Sequence, residues 1–217
     1  MELIGKGWEY RVYDIGNGRV RKVKRTPVDS FCRLFFMPKP VKKNRKFRFN
    51  PILSYWEMRR ISRETDENIS RFKKILPFMP DHLVGNPVFL NGVNYEQDYA
   101  ISLFQYFKQH NVSENRKIIT KYAELVVELW KYGCSDNVFN FYNNSGVDKN
   151  EQVTMMDFGE LAFSKEKVYQ AIQSKRWLFQ PSYALFRNEE LKNYFQTEME
   201  RLITMKNLNK YWKLYRK

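Results

Sequence analysis

Val153–Phe163, VTMMDFGELAF, is a short apolar β-run that stops at Asp157-Phe158-Gly159. Val153, Thr154, Met155 and Met156 suit a buried strand, and Gly159 supplies the freedom for a turn. The strand therefore ends on a carboxylate, with an aromatic ring beside it to pack into the core. Glu160 follows directly. It is read either as a second acid at the same point or as the start of a helix whose dipole it complements.

A core large enough to hold such a turn is expected. The chain has 217 residues, 17% of them aromatic, well above what a disordered chain carries. No apolar run reaches the roughly 18 residues of a membrane span. The first residues, MELIGKGWEY, lack the apolar core of a signal peptide. An intracellular, cytoplasmic protein is the expectation. Cys32 and Cys134 are far apart, which suggests neither a zinc site nor a disulfide framework. His82 and His110 are the only histidines, so histidine-rich metal sites and Ser-His-Asp chemistry are poorly supported.

Net charge is +14, from 38 basic and 24 acidic residues. The excess is densest at Lys39, Lys42, Lys43, Arg45, Lys46 and Arg48, with Phe31, Leu34, Phe35, Phe36 and Met37 just before. One reading of this 39–48 segment is a docking surface for a polyanionic partner, such as nucleic acid or an anionic lipid surface. The other is a solvated loop.

Upstream, residues 2–25 read as two or three short strands with a hairpin turn at Asn17-Gly18. Residues 26–50 read as a basic, proline-bearing insert. Asn50-Pro51 opens a helix carrying Ile52, Leu53, Trp56, Met58, Arg59 and Ile61, continued through Ile69, Phe72, Ile75 and Leu76. Residues 83–101 read as a hairpin turning at Asn91-Gly92. Ser102–His110 is expected to be helical, and a stronger helix starts near Ser113 and closes at Gly133. Two strands, Val138–Tyr142 and Gln152–Met156, are expected around an Asn- and Gly-rich turn. After residue 159 the pattern is helical, with Ser164 and Asn188 as caps.

Several of these pieces fall in a meaningful order. Gly5-Lys6-Gly7-Trp8-Glu9-Tyr10-Arg11-Val12 resembles the glycine-rich strand–turn–strand of protein kinases, where backbone N–H groups approach phosphates. Tyr10 stands at the third glycine. Arg19-Val20-Arg21-Lys22-Val23 resembles the strand whose lysine reaches the α- and β-phosphates. Alternation places Val20 and Lys22 on one face, with Lys24 a competing candidate on the same face. Asp157-Phe158-Gly159 resembles the family's magnesium-binding turn. A plain hairpin, a surface lysine and an Asx-rich turn are the corresponding structural readings.

The resemblance to the protein kinase-like superfamily covers about residues 1–163. It implies an α+β, two-lobe fold: a small antiparallel β-sheet lobe with one main helix over 1–101, and a reduced, mostly helical lobe over 102–217. It implies ATP and Mg²⁺. Lys22 would hold the phosphates, and Glu57, or else Glu64, would hold Lys22. Gly5 and Gly7 would line the phosphate loop. Gln97 would be the gatekeeper, with Asp98 and Ala100 offering main-chain groups to adenine. Asp136 would accept or orient the acceptor proton. Asn140 and Asp157 would hold metal, with Asn137 the alternative to Asn140. Phe158 would pack beneath the helix carrying Glu57. The chain departs from the family in having no His-Arg before Asp136, one residue fewer between Asp136 and Asn140, and no A-P-E after the turn. Those departures keep open a catalytically impaired nucleotide-binding module, with a non-phosphate transfer such as adenylylation a further option. The +14 charge, and Phe47 and Phe49 among basic residues, keep open a basic nucleic-acid-binding protein. The acceptor is not legible.

Overall fold

The computed structural model describes residues 1–7, 9–35, 51–136 and 139–213. The basic segment 39–48, Asn50 and Asn137 lie outside these residues. Strands β1 (Glu2–Lys6), β2 (Tyr10–Gly16), β3 (Arg19–Lys24), β4 (Val88–Asn91) and β5 (Asn94–Asp98) form an antiparallel sheet in the order β1-β2-β3-β5-β4. Asn17 and Gly18 both take positive φ, 55° and 68°, so the predicted hairpin turn joins β2 to β3. Alternation along β3 buries Val20 and Lys22, which pair across the sheet with Gln97 and Tyr95.

The insert expected over 26–50 begins with a helix, α1 (Pro27–Phe35). The Thr26 hydroxyl accepts from Asp29 N at 3.1 Å, and Pro27 occupies the first turn. Helix α2 (Pro51–Ile75) is the long helix expected. Its buried stripe is Met58, Thr65, Ile69, Phe72 and Ile75, while Ile52 and Trp56 lie exposed among the described residues. The inward face is thus rotated from the one that the helix's first turns suggest.

The hairpin expected from residue 83 starts later. Leu83 and Val84 are buried in a single turn, α3 (Asp81–Val84), which Gly85 ends at φ 63°. Next come β6 (Ile101–Ser102), α4 (Leu103–Gln109) capped by Ser102, and α5 (Val112–Trp130). The α5 start lies at Asn111 rather than Ser113, because Asn111 and Glu114 form a reciprocal capping box. The pieces β7 (Ser135–Asp136), α6 (Phe141–Asn144), β8 (Ser145–Val147), β9 (Val153–Met155) and β10 (Leu161–Ala162) follow. Of the strand expected at 138–142, Val138 lies outside the described residues; from Phe141 the chain forms a helical turn instead, and the strand facing β9 begins at Ser145. Helices α7 (Lys165–Gln173), α8 (Pro181–Ala184), α9 (Glu189–Leu202) and α10 (Met205–Tyr211) complete the chain, with Ser164 and Asn188 as caps.

The architecture is α+β: a small antiparallel sheet and a larger set of helices. One continuous apolar cluster joins Tyr10 and Tyr95 of the sheet, Phe72 of α2 and Phe158 to Leu129, Trp130 and Phe195 on the helical side. Gly146 of β8 allows close approach to the neighbouring β6. A Cβ there would lie 2.7 Å from the Ile101 carbonyl. Among the described residues, no helix is long and apolar enough to cross a membrane.

Candidate active site

Strand β3 and the turn after β9 meet in space. Lys22, buried on the inner face of the sheet, donates from Nζ to the Met156 carbonyl. Met156 is the residue before Asp157. Two segments 134 positions apart thus place an ammonium beside a carboxylate. Burial pushes Lys22 down to about 8, and the Asp157 charge partly offsets this.

Asp157 itself is half-buried, and its Oδ1 accepts from Gly159 N at 3.0 Å. Phe158 is fully buried, stacked on Phe72 at 4.1 Å and tilted against Tyr95 at 5.1 Å. Asn68 of α2 donates to the Gly159 carbonyl at 2.7 Å. A side chain at 159 has no room, since a Cβ would lie 2.8 Å from Thr65 Cγ2 and 3.1 Å from Glu9 Oε2. Helix α2 and the sheet therefore hold the turn through the Phe72–Phe158 stack, the Tyr95 contact and the Asn68 hydrogen bond.

Two further acids crowd Asp157. Glu9, from the β1–β2 turn, has its carboxylate oxygens 2.6 and 2.7 Å from the Thr65 hydroxyl. Burial first, then Asp157, pushes Glu9 up to about 7. Glu160 accepts from Asn144 Nδ2 at 2.8 Å, and burial followed by Asp157 pushes it up to about 8.

These directions set a pH dependence. Glu9 and Glu160 hold protons more tightly folded than unfolded, where 4.5 applies. The stability they contribute is present below about 4.5 and lost as pH rises through 7 to 8. Lys22 holds its proton less tightly folded than its ordinary 10.5. Stability therefore returns as pH rises from about 8 to 10.5. Thermal unfolding from pH 5 to 10 is expected to show a minimum near pH 8, and Glu9→Gln should flatten its acid side. A Tm that climbs steadily from pH 5 to 8 would contradict this arrangement.

The other predicted residues are placed as follows. Gly5 sits in β1 opposite Val12, and Gly7 lies in the turn, where its carbonyl accepts from Arg25 Nε at 3.3 Å. Tyr10 turns inward, edge-on to Tyr95, and donates to the Val93 carbonyl at 3.3 Å, so its ring does not close over the turn. Lys24 is engaged by the Ser62 carbonyl at 2.7 Å and by Asp66, both on α2. Glu57 and Glu64 are both engaged by Arg60 of their own helix, and neither is brought to Lys22. Gln97 is buried with its Oε1 unpaired, Asp98 pairs with Arg19 at 2.8 Å, and Ala100 packs near Gly146.

Asp136 is sealed rather than exposed. Its carboxylate accepts from Tyr122 Oη at 3.1 Å, Phe139 N at 3.0 Å and Asn144 Nδ2 at 3.4 Å. Asn140 starts α6, and its Oδ1 accepts from Asn143 Nδ2 at 3.3 Å. Asn144 is the residue that reaches the turn. Its carbonyl accepts from Met156 N at 2.6 Å and Asp157 N at 3.3 Å.

The sequence reading missed Thr65, Asn68 and Asn144, and gave Glu9 no role. Asn144 had a usable signal. Asp148 Oδ1 accepts from Asn150 N and Gln152 N, both at 2.8 Å, and this fixes the β8–β9 turn. With Ser145 opposite Met155, the next residue outward is Asn144, beside Met156.

The oxygen donors here fit a hard cation. Among the described residues, no three acidic, His or Cys side chains converge closely enough to hold a metal alone.

Against known proteins, no family model and no curated sequence matches the chain. Among solved structures it is similar to a medium-resolution structure of the bifunctional kinase-methyltransferase WbdD. The TM-score is 0.45 and the identity 14%, over 91% of this chain and 44% of the other. It is also similar to the 2.2 Å crystal structure of WbdD, with TM-score 0.46 and identity 14%, over 92% of this chain and 46% of the other. The chain spans less than half the length of either. A likeness this distant decides nothing about chemistry.

Proposed function

We propose that this chain is a kinase-like phosphotransferase, which binds Mg-ATP between β3 and the turn at Asp157 and transfers the γ-phosphoryl group to a hydroxyl acceptor. One observation carries the proposal: Lys22 of β3, 134 positions away in sequence, donates to the carbonyl of the residue before Asp157 and feels that aspartate's charge. The proposed layout is two-lobed, with residues 1–101 on one side of the nucleotide and 102–217 on the other.

Lys22 is the phosphate-holding cation. An ammonium already desolvated on a sheet face interacts strongly with an anion. Gly5 and Gly7 keep the hairpin backbone open to phosphates. Asp98 and Ala100 offer main-chain groups to the base. Asp157 would hold Mg²⁺, with Asn140 or Asn144 as the amide oxygen completing the set. When bound, Mg²⁺ would neutralise charge on the triphosphate. The protein's own share is positioning: α2 and the Phe72–Phe158 stack fix Asp157 where Lys22 can face it.

The direct test is calorimetric binding of ATP with and without Mg²⁺, paired with ADP release, on the wild type and Lys22→Met. The variant is expected to lose about 100-fold in ADP release and to bind ATP more weakly, with its fold retained. Unchanged nucleotide binding in Lys22→Met would remove Lys22 from the site. The sealed Asp136 favours a second reading, a nucleotide-binding module without turnover. Tight binding with no ADP release would select it.

A further inference from the structure

We infer that Asn68 is the positioning residue that ties helix α2 to the nucleotide site; this deepens the phosphotransfer reading above and rests on it. The link expected there, a glutamate of α2 on Lys22, does not form. Glu57 and Glu64 both turn to Arg60 of their own helix. Another contact has to couple α2 to the turn that carries Asp157.

One stripe of α2 makes that coupling. Thr65, Asn68 and Phe72 follow one another at helical steps and so share a face. Thr65 meets the Glu9 carboxylate of the β1–β2 turn, its hydroxyl 2.6 and 2.7 Å from the two oxygens. Phe72 stacks on Phe158 at 4.1 Å. Asn68, between them, reaches the main chain: its Nδ2 donates to the Gly159 carbonyl at 2.7 Å.

The glycine is why that hydrogen bond matters. Helix α2 comes so close that a Cβ at 159 would lie 2.8 Å from Thr65 Cγ2, so no larger residue fits. A glycine leaves its two flanking peptide groups freer to rotate than any other residue would. Here both are fastened. The N–H of Gly159 donates to Asp157 Oδ1 at 3.0 Å, and its carbonyl accepts from Asn68. One path thus runs from the α2 amide through Gly159 to the Asp157 carboxylate. Gly159 is buried, so a carbonyl released by Asn68 has no water to turn to, and its peptide has to shift to find a partner. The Phe158 stack sets how deep the turn sits. The Asn68 bond sets its rotation, and with it the direction in which Asp157 meets a metal ion.

The test compares the full chain with Asn68→Leu, which keeps the size of the side chain, removes the donor and favours the helix. Calorimetry gives the Kd for ATP in EDTA and in Mg²⁺. Mg²⁺ is expected to tighten ATP binding to the wild type about tenfold. In Asn68→Leu about fivefold of that gain is expected to vanish, the worth of one hydrogen bond, while the Kd for metal-free ATP stays within about twofold. In the unliganded chain, amide hydrogen exchange over residues 157–162 is expected to run about tenfold faster in the variant, with exchange across α2 unchanged. Wild-type tightening by Mg²⁺ in Asn68→Leu, or unchanged exchange in the turn, overturns the inference. So does a matching loss of metal-free ATP binding, or faster exchange along all of α2, since either makes Asn68 a structural residue only. Where Asn68→Leu fails to fold, Asn68→Ala carries the same expectations and the same contrary outcomes. A wild type that binds no ATP, or binds it no tighter with Mg²⁺, removes the phosphotransfer reading and this inference with it.

Discussion

Asp157→Asn is expected to reduce Mg-ATP turnover by about a thousandfold and to leave the fold intact. The fold survives because the amide oxygen of Asn can still accept from Gly159 N, the one hydrogen bond that the turn draws from this side chain. Phe158 and the Asn68–Gly159 contact are untouched. Only the charge is lost. That charge supports the Lys22 ammonium and raises the carboxyls of Glu9 and Glu160. Without it, both acids and Lys22 should all titrate lower, so the acid side of the stability minimum should become shallower while the alkaline rise starts at lower pH. ADP release and thermal unfolding, measured on one preparation, separate the two effects. Full turnover in the variant would take Asp157 out of the mechanism, and a large drop in Tm would make it structural instead.

Phe158→Ala is the variant expected to hurt the fold most. The ring is fully buried and stacks on Phe72 from α2 at 4.1 Å, against Tyr95 of the sheet at 5.1 Å. Truncating a buried Phe costs about 3–5 kcal/mol, from lost transfer energy plus the cavity left behind. Here the cavity would open where α2, the sheet and the Asp157 turn meet. Urea unfolding should show that loss as a lower midpoint with a similar slope. Phe158→Leu should recover more than half of it. Turnover should fall as well, because Asp157 loses the neighbour that sets its direction. A change below about 1 kcal/mol would mean that the stack does not hold the turn.

Much of this was legible before any coordinates. The Asn17-Gly18 turn had one geometry open to it, because two successive positive-φ positions suit Asn and Gly. Period-two alternation put Lys22 on the inner face of β3. The apolar strand just before Asp157 followed from local pattern, and the packing of Phe158 under the long helix from the family resemblance. Local pattern failed where two local readings competed. Leu83 and Val84 fit a strand as well as a helical turn, and Gly85 settled the choice. Glu57 looked like the partner for Lys22 because it sat among apolar neighbours. Arg60, one turn along the same helix, holds it instead.

The sequence by itself determined the elements whose information is local: the hairpin, the long helices, the caps, and an aspartate at the end of a buried strand. Tertiary structure decided which charges meet. It brought Lys22 to Met156, put Glu9 against Thr65, sealed Asp136 beneath Tyr122 and tied Glu160 to Asn144. The reason is physical. Burial and neighbouring charge set the state of a carboxylate, and both depend on segments far away in the chain. A carboxylate's letter in the sequence is the same whether it is capped, buried or free to take a proton.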